Sequence, residues 1–240
     1  MPERIQHQYG HVVEYVYDAS GVKRETRHKT SRSDLALGFW GRQDLSAAQI
    51  SETLTTDYIS NKVYEQYKDG ARSLKYLLTD EGYLRKNGST FTYYYHVRDH
   101  LGNTRVVMDE NGSIAQVNNY YPFGATFAEP VTRTDQGVQP FKYNGKELDG
   151  MYGMNLYDYG ARFYDPVLSR FMTMDPLAEK YYSISPYAYC GNNPIRRLDP
   201  TGKDWLDMVS GIGIGIVTNV VPLSTDVRGW YEPTDAADYN

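Results

Sequence analysis

Up to about residue 125, tyrosine and aliphatic positions alternate with polar ones, and each alternating run is broken by a short polar turn that contains glycine. The recurring unit is a few β-type residues around a tyrosine, a turn, and a charged return segment. It reads YVYDASGVKR from Tyr15 to Arg24, KYLLTDEGYLR from Lys75 to Arg85, and YHVRDHLGNTRVVMD from Tyr95 to Asp109. A fourth turn, Asp109 to Ser113, feeds an expected strand from Ile114 to Tyr121. Period-two alternation places successive side chains on opposite faces of a strand, and glycine or asparagine accepts the positive φ of a tight connection. Each copy therefore predicts a β-hairpin.

The stretch from Ser31 to Ile59 interrupts the series, with Asp44 to Ile50 reading as a short helical turn or a long loop. Strands resume at Thr55 to Ile59 and Lys62 to Glu65, and YYPFGATF from Tyr120 ends a strand at Pro122 and Gly124. Further on, Asn144-Gly145 is a strong hairpin signal and Leu156 to Tyr164 alternates as one more strand. Such hairpins bury no thick core singly, so neighbours must stack edge to edge to cover their open hydrogen-bonding rims. The expectation is an all-β fold of consecutive antiparallel hairpins from about residue 9 to residue 170, curved into a barrel-like or shell wall. A short irregular or helical tail, with a helix starting at Asp204, would follow, weakened by glycines at 211, 213 and 215.

Composition sharpens this picture at one point: 24 tyrosines stand against 7 phenylalanines and 3 tryptophans, more phenol than a core requires, and this suggests a large half-wet β surface. A formal charge of −5, mixed in sign along the chain, gives no attraction to nucleic acid. The single cysteine, Cys190, excludes an intrachain disulfide framework and reads as a buried packer. The opening MPERIQHQYGHVVEY lacks the apolar core of a secretory signal, and Met208 to Leu223 is too short and too rich in glycine for a membrane span, so the chain reads as soluble. It begins and ends in mid-pattern, as a stretch of something longer would.

Candidate chemistry concentrates in YDPVLSRFMTMDPLAEKYYSISPYAYCGNNPIRRLDPTG, where Asp-Pro steps occur at Asp165, Asp175 and Asp199. Two carboxylates brought close would split their acidities, one holding a proton and the other activating water. The same residues are also common turn starters, because the carboxylate accepts a backbone N–H while proline fixes φ. Arg170, Arg196 and Arg197 either orient a carboxylate or line the wall, and Asn192-Asn193-Pro194 shapes the turn presenting Asp199. His7 with His11, and His96 with His100, lack the setting of a metal site, so no metal or other cofactor is expected. The glycines from 211 to 215 lack the lysine and Ser/Thr of a phosphate loop.

Three segments, YYYHVRDHLGNTRVVMDENGSIAQVNNYYPFG, FKYNGKELDGMYGMNLYDYGARFYDPVLSRFMTMDP and YAYCGNNPIRRLDPTG, together resemble the core of the Rhs (rearrangement-hotspot, or YD-repeat) family in the form common among Bacteroidetes. The likeness runs from about Tyr9 to Gly202 and is most specific from Leu156 to Gly202. It implies strands spiralling into a hollow β shell around a C-terminal toxin, with residues 1–202 as core and 203–240 as the start of the cargo. The implied partners are the remainder of the shell, the toxin, an immunity protein and a secretion machinery, and the implied location of the parent is secreted or delivered at the cell surface. The resemblance also implies an aspartyl-protease-like self-cleavage in which Asp175 and Asp199 act and the chain is cut at the Gly202-Lys203-Asp204 junction, after Lys203. Two departures stand out: Asp175-Pro176-Leu177-Ala178 lacks the family's glycine, and Lys203 replaces its leucine. From the residues alone, a surface-exposed tyrosine-rich module binding carbohydrate or a partner protein is the alternative.

Overall fold

A computed structural model describes residues 2–7, 9–33, 44–127 and 139–207. Ten strands form one open sheet: β1 (Arg4–Gln6), β2 (Val12–Tyr17), β3 (Lys23–Ser31), β4 (Ile50–Ile59), β5 (Lys62–Tyr67), β6 (Ser73–Leu78), β7 (Gly82–Asn87), β8 (Thr90–Arg98), β9 (Thr104–Asp109) and β10 (Ile114–Val117). Each pairs antiparallel with its neighbours in sequence, so β1 and β10 are the two edges and the described residues contain no closed barrel. Register shifts at Val16/Tyr17, Val63/Tyr64 and Val97/Arg98 insert bulges, which add twist and bend the sheet.

The repeated turn has one chemistry. Asp18 Oδ1 accepts the amides of Ser20 and Val22, Asp99 Oδ1 those of Leu101 and Asn103, and Asp109 Oδ1 those of Asn111 and Ser113, all at 2.8–3.1 Å. Three residues after each aspartate stands a glycine at positive φ: Gly21 (81°), Gly102 (75°) and Gly112 (80°). Aspartate satisfies the turn amides and glycine reverses the chain, so Asp-x-x-Gly is the hairpin signature at these three turns. The copy at Lys75 to Arg85 turns differently, through Thr79, whose hydroxyl accepts the Gly82 amide.

A second layer crosses one face of the sheet. It contains β11 (Asn119–Tyr120) with β12 (Thr126–Phe127), then the four-stranded β13 (Glu147–Asp149), β14 (Leu156–Asp158), β15 (Phe163–Asp165) and β16 (Arg170–Phe171), and finally β17 (Arg197–Leu198) with β18 (Leu206–Asp207). Val13 and Tyr15 pack on Leu156 and Phe163, and Phe141 enters a cluster with Val63, Tyr76, Leu78, Tyr83 and Val107. Burying each such side chain stabilises by about 1.5–3 kcal/mol. Charge joins the layers as well: Lys23 Nζ lies 2.7 Å from both Glu147 and Asp158, and Tyr58 donates to Glu147 at 2.8 Å.

Tyrosine plays two parts. Tyr9, Tyr67, Tyr95, Tyr121, Tyr182 and Tyr187 are exposed, as composition suggests, whereas the second layer has a buried core of Tyr143, Tyr157, Tyr159, Tyr164, Phe171, Tyr189 and Cys190. The hydroxyls make this affordable: Tyr143, Tyr164 and Tyr157 donate to the carbonyls of Pro122, Phe123 and Gly124, while Tyr159 and Tyr189 donate to Asn144 Oδ1. Asn144-Gly145 does make its tight turn, with φ of 50° and 67° and a Phe141–Glu147 bridge closing it. Leu156 to Tyr164 is two strands, because Gly160 at φ 84° turns the chain between β14 and β15. The expected strand Ile114 to Tyr121 likewise divides between β10 and β11. Asp44 to Ile50 contains a single 3-10 turn, Ala47–Gln49, capped by Ser46 and Gln49.

In place of a helix from Asp204, Leu206 and Asp207 pair with Leu198 and Arg197, and Trp205 stacks on Tyr181 at 4.2 Å. The glycine-rich run from Met208 lies outside the described residues. Among the described residues no helix is long and apolar enough to cross a membrane.

Candidate functional site

Asp199 directly follows β17, and its Oδ1 accepts the amides of Thr201 (3.0 Å), Gly202 (2.7 Å) and Lys203 (3.3 Å), with Gly202 at φ 74°. This is the repeat turn again, now sunk into the protein: Asp199 is 1% exposed. Asn192, Asn193 and Pro194 prepare it. Cys190, Gly191 and Asn192 take positive φ in succession, Pro194 is buried, and the Asn193 carbonyl accepts the amides of Arg196 and Arg197 that lead into β17.

Asp175 follows β16 in a turn of its own. Its amide donates to the Pro186 carbonyl at 2.9 Å, and its Oδ1 accepts the Leu177 amide at 2.7 Å. Its remaining oxygen meets Arg162, carried on the β14–β15 turn and 2% exposed. Arg162 Nη2 lies 2.9 Å from Asp175 Oδ2 and 3.7 Å from Asp199 Oδ2, its Nη1 donates to Pro186 O at 3.1 Å, and its Nε donates to the Gly202 carbonyl at 2.5 Å. The guanidinium also lies over the Phe171 ring, 3.6 Å from its centroid. Lys146 closes the other side, donating to Pro200 O at 2.5 Å.

Thus the two aspartates do converge, and a single arginine joins them to the Gly202 carbonyl. Burial pushes the Asp199 carboxyl up to about 6, against the pull of the turn amides and of the Arg162 and Lys146 charges. Burial also lowers Arg162 and Lys146 from their ordinary values. Near neutral pH the pair therefore contains a carboxyl close to its titration point beside a fixed cation, an arrangement able to exchange a proton with a bound reactant.

Arg162 is the residue that sequence reasoning missed. Arg196 pairs with Asp207, Arg197 lies over Trp205, and Arg170 is exposed on β16. The available signal was a charged residue set between Gly160-Ala161 and Phe163-Tyr164, in a run otherwise destined for the core. Asp165 caps an exposed turn through Val167 and Leu168. Lys203 is exposed, and Asp204 pairs with Lys180 at 2.5 Å and accepts from the Tyr181 hydroxyl. The Cys190 thiol is buried and pushed up to about 12 by that burial, consistent with a packing role. His11 stacks on Tyr152 at 4.4 Å, and His28 pairs with Asp149.

No family model matches the chain. It is similar to salivary gland surface protein 1 of Aedes aegypti, 38% identical over 149 residues, which covers 62% of the chain and 4% of that protein. It is similar to toxin subunit YenC2 of Yersinia entomophaga, 33% identical over 105 residues, covering 42% of the chain and 10% of that protein. The chain thus spans a tenth or less of the length of these relatives. Among solved structures, the crystal structure of TcdB2-TccC3 aligns with 80% of the chain and 9% of its own, at a TM-score of 0.62 and 20% identity. That likeness establishes the shared all-β fold.

Proposed function

We propose that this chain is a stretch of the β wall of an Rhs-type shell, in the form resembling Bacteroidetes members, from a polymorphic toxin system. In this reading residues 1–202 belong to the wall, and the segment from Lys203 leads into an enclosed C-terminal toxin that the parent delivers outside the cell. The observation that carries it is the ten-stranded sheet, paired in sequence order, with an Asp-x-x-Gly turn recurring at Asp18, Asp99 and Asp109, and ending at two open edges. Similarity to a toxin subunit supports it. The neighbours of β1 and β10 are then further turns of the same wall, which cover rims that would otherwise associate with other chains. Electron microscopy of the parent polypeptide tests this: a hollow particle is expected, whereas an extended rod with the C-terminal segment open to added protease favours the tyrosine-rich binding module.

The convergence of Asp175 and Asp199 on Arg162, next to the Gly202 carbonyl, favours a second activity, self-cleavage at the junction. Asp199, its carboxyl pushed up to about 6 by burial, supplies a proton, and Asp175, 2.9 Å from Arg162, is the partner that accepts one from water. Mass measurement of the purified chain on standing, with Asp199→Asn as control, tests it: two fragments from the wild type and none from the variant are expected.

A further inference from the structure

The two layers enclose a cavity of about 160 Å³ whose walls include none of Asp175, Asp199 and Arg162. Its floor is the large sheet, with Tyr15 on β2, Lys23 and His28 on β3, and Tyr58 on β4. Its roof is the second layer, with Glu147 to Asp149 on β13 and Phe163 on β15. Gly150 and Met151, both exposed, mark its mouth. We propose that this cavity binds a small primary amine, its ammonium group donating to His28 among the surrounding carboxylates and its short alkyl stem lying on Leu54, Leu148 and Phe163.

Two independent features ask for that chemistry. The first is charge. Carboxylates of Glu65, Glu147, Asp149 and Asp158 line the cavity against the ammonium groups of Lys23 and Lys75, so negative charge is in excess and a cation is the favoured guest. Burial opposes the charge on Lys23, but Asp158 and Glu147, each 2.7 Å away, outweigh it and hold the group well above its ordinary value. The second feature is an unpaired acceptor. His28 Nε2 lies 3.0 and 3.2 Å from the two oxygens of Asp149. Burial works against the Asp149 charge, yet the bond from His28, helped by the Met151 amide and the Tyr15 hydroxyl, holds that carboxyl below its ordinary value. Facing an ionised carboxylate, Nε2 carries the ring proton, and the neutral ring presents Nδ1 as a lone pair. That Nδ1 is buried and has no partner among the described residues, in a side chain that the fold almost wholly covers. Buried acceptors are nearly always met by a donor, and an ammonium group carries three.

The walls need no rearrangement to receive it. Glu147 meets one donor at each oxygen, Tyr58 at 2.8 Å and Lys23 at 2.7 Å, which leaves a lone pair on each for an incoming ammonium. The volume lies below the about 300–1,000 Å³ of pockets that take drug-sized molecules, which limits the stem to about three or four carbons. A guest that touches both layers binds only where they are docked, so it stabilises the fold in step with its occupancy. The assignment is independent of the junction and stands whether or not the chain cuts itself.

The test is thermal unfolding of the full chain titrated with n-propylammonium chloride, beside sodium chloride at equal ionic strength and beside 1-propanol, a neutral molecule of the same size. A midpoint that rises along a saturating curve with propylammonium, and with neither control, is expected. His28→Gln keeps a donor toward Asp149 but has no acceptor where Nδ1 stands, and should weaken the apparent affinity about tenfold or more. Leu54→Phe fills the cavity from its apolar side without touching a charge, and should abolish the rise. An unmoved midpoint, or an equal rise with sodium, overturns the proposal, since the cavity then holds solvent alone. An equal rise with propanol overturns the choice of an amine, and undiminished binding by both variants overturns the place. The three wild-type titrations decide the chemistry even if a variant fails to fold.

Discussion

Arg162 donates to Asp175 at 2.9 Å, with both side chains almost wholly withdrawn from water. Replacing Arg162 by methionine leaves Asp175 and Asp199 buried without their cation. Breaking one side of a buried ion pair costs about 3–5 kcal/mol, so Arg162→Met should lower the urea midpoint accordingly. Adding Asp175→Asn and Asp199→Asn should recover most of that loss. A triple variant no more stable than Arg162→Met would show that the cost lies in lost packing over Phe171.

Gly202 and Gly153 separate crowding from backbone strain. Both take positive φ, 74° and 75°, yet a Cβ meets nothing within 4 Å at Gly153 and three atoms within 3.3 Å at Gly202. Left-handed backbone costs an L-residue about 1–2 kcal/mol. Gly153→Ala should lose about that much in denaturant unfolding and Gly202→Ala clearly more, with equal losses counting against a tightly seated junction.

Asp199 makes stability depend on pH in a direction unusual for a carboxylate. Its folded value of about 6 exceeds the ordinary 3.8, so the folded chain retains a proton that the unfolded chain releases. The stabilising contribution is complete below about pH 4 and is lost as pH rises through about 6, a swing of at most about 3 kcal/mol. Asp199→Asn removes that dependence. The stability of the variant relative to wild type should therefore rise between pH 4 and pH 7, and a difference that stays flat would mean Asp199 is ionised throughout.

Lys23 holds the two layers together through charge. With Glu147 and Asp158 each 2.7 Å from its ammonium, Lys23→Met should destabilise by about 3 kcal/mol or more, and adding Glu147→Gln should return part of it. Chemical unfolding of the single and double variants measures both effects.

The sheet was legible because its information is local. An aspartate, a glycine three residues later and alternation on either side specify three of the hairpins without reference to anything distant, and Asp18, Asp99 and Asp109 all behave alike. The second layer was less legible because its partners are remote. Nothing near Tyr164 announces that its hydroxyl will reach Phe123, so which tyrosines leave the surface for the core was not legible. At the site, Asp175 and Asp199 were visible as Asp-Pro steps. Arg162 was not, since its role depends on a contact with Gly202 that spans forty positions. At Asp199 one carboxylate oxygen takes the backbone turn and the other faces the arginine.

Strand order in the large sheet has a bearing on how such a wall is made. Every strand from β2 to β10 bonds to the one synthesised just before it, so a chain leaving the ribosome can lay each new strand on a finished neighbour and never waits for a distant partner. For the same reason whole hairpins can be gained or lost in evolution without rethreading the rest, so the length of the sheet can change one hairpin at a time.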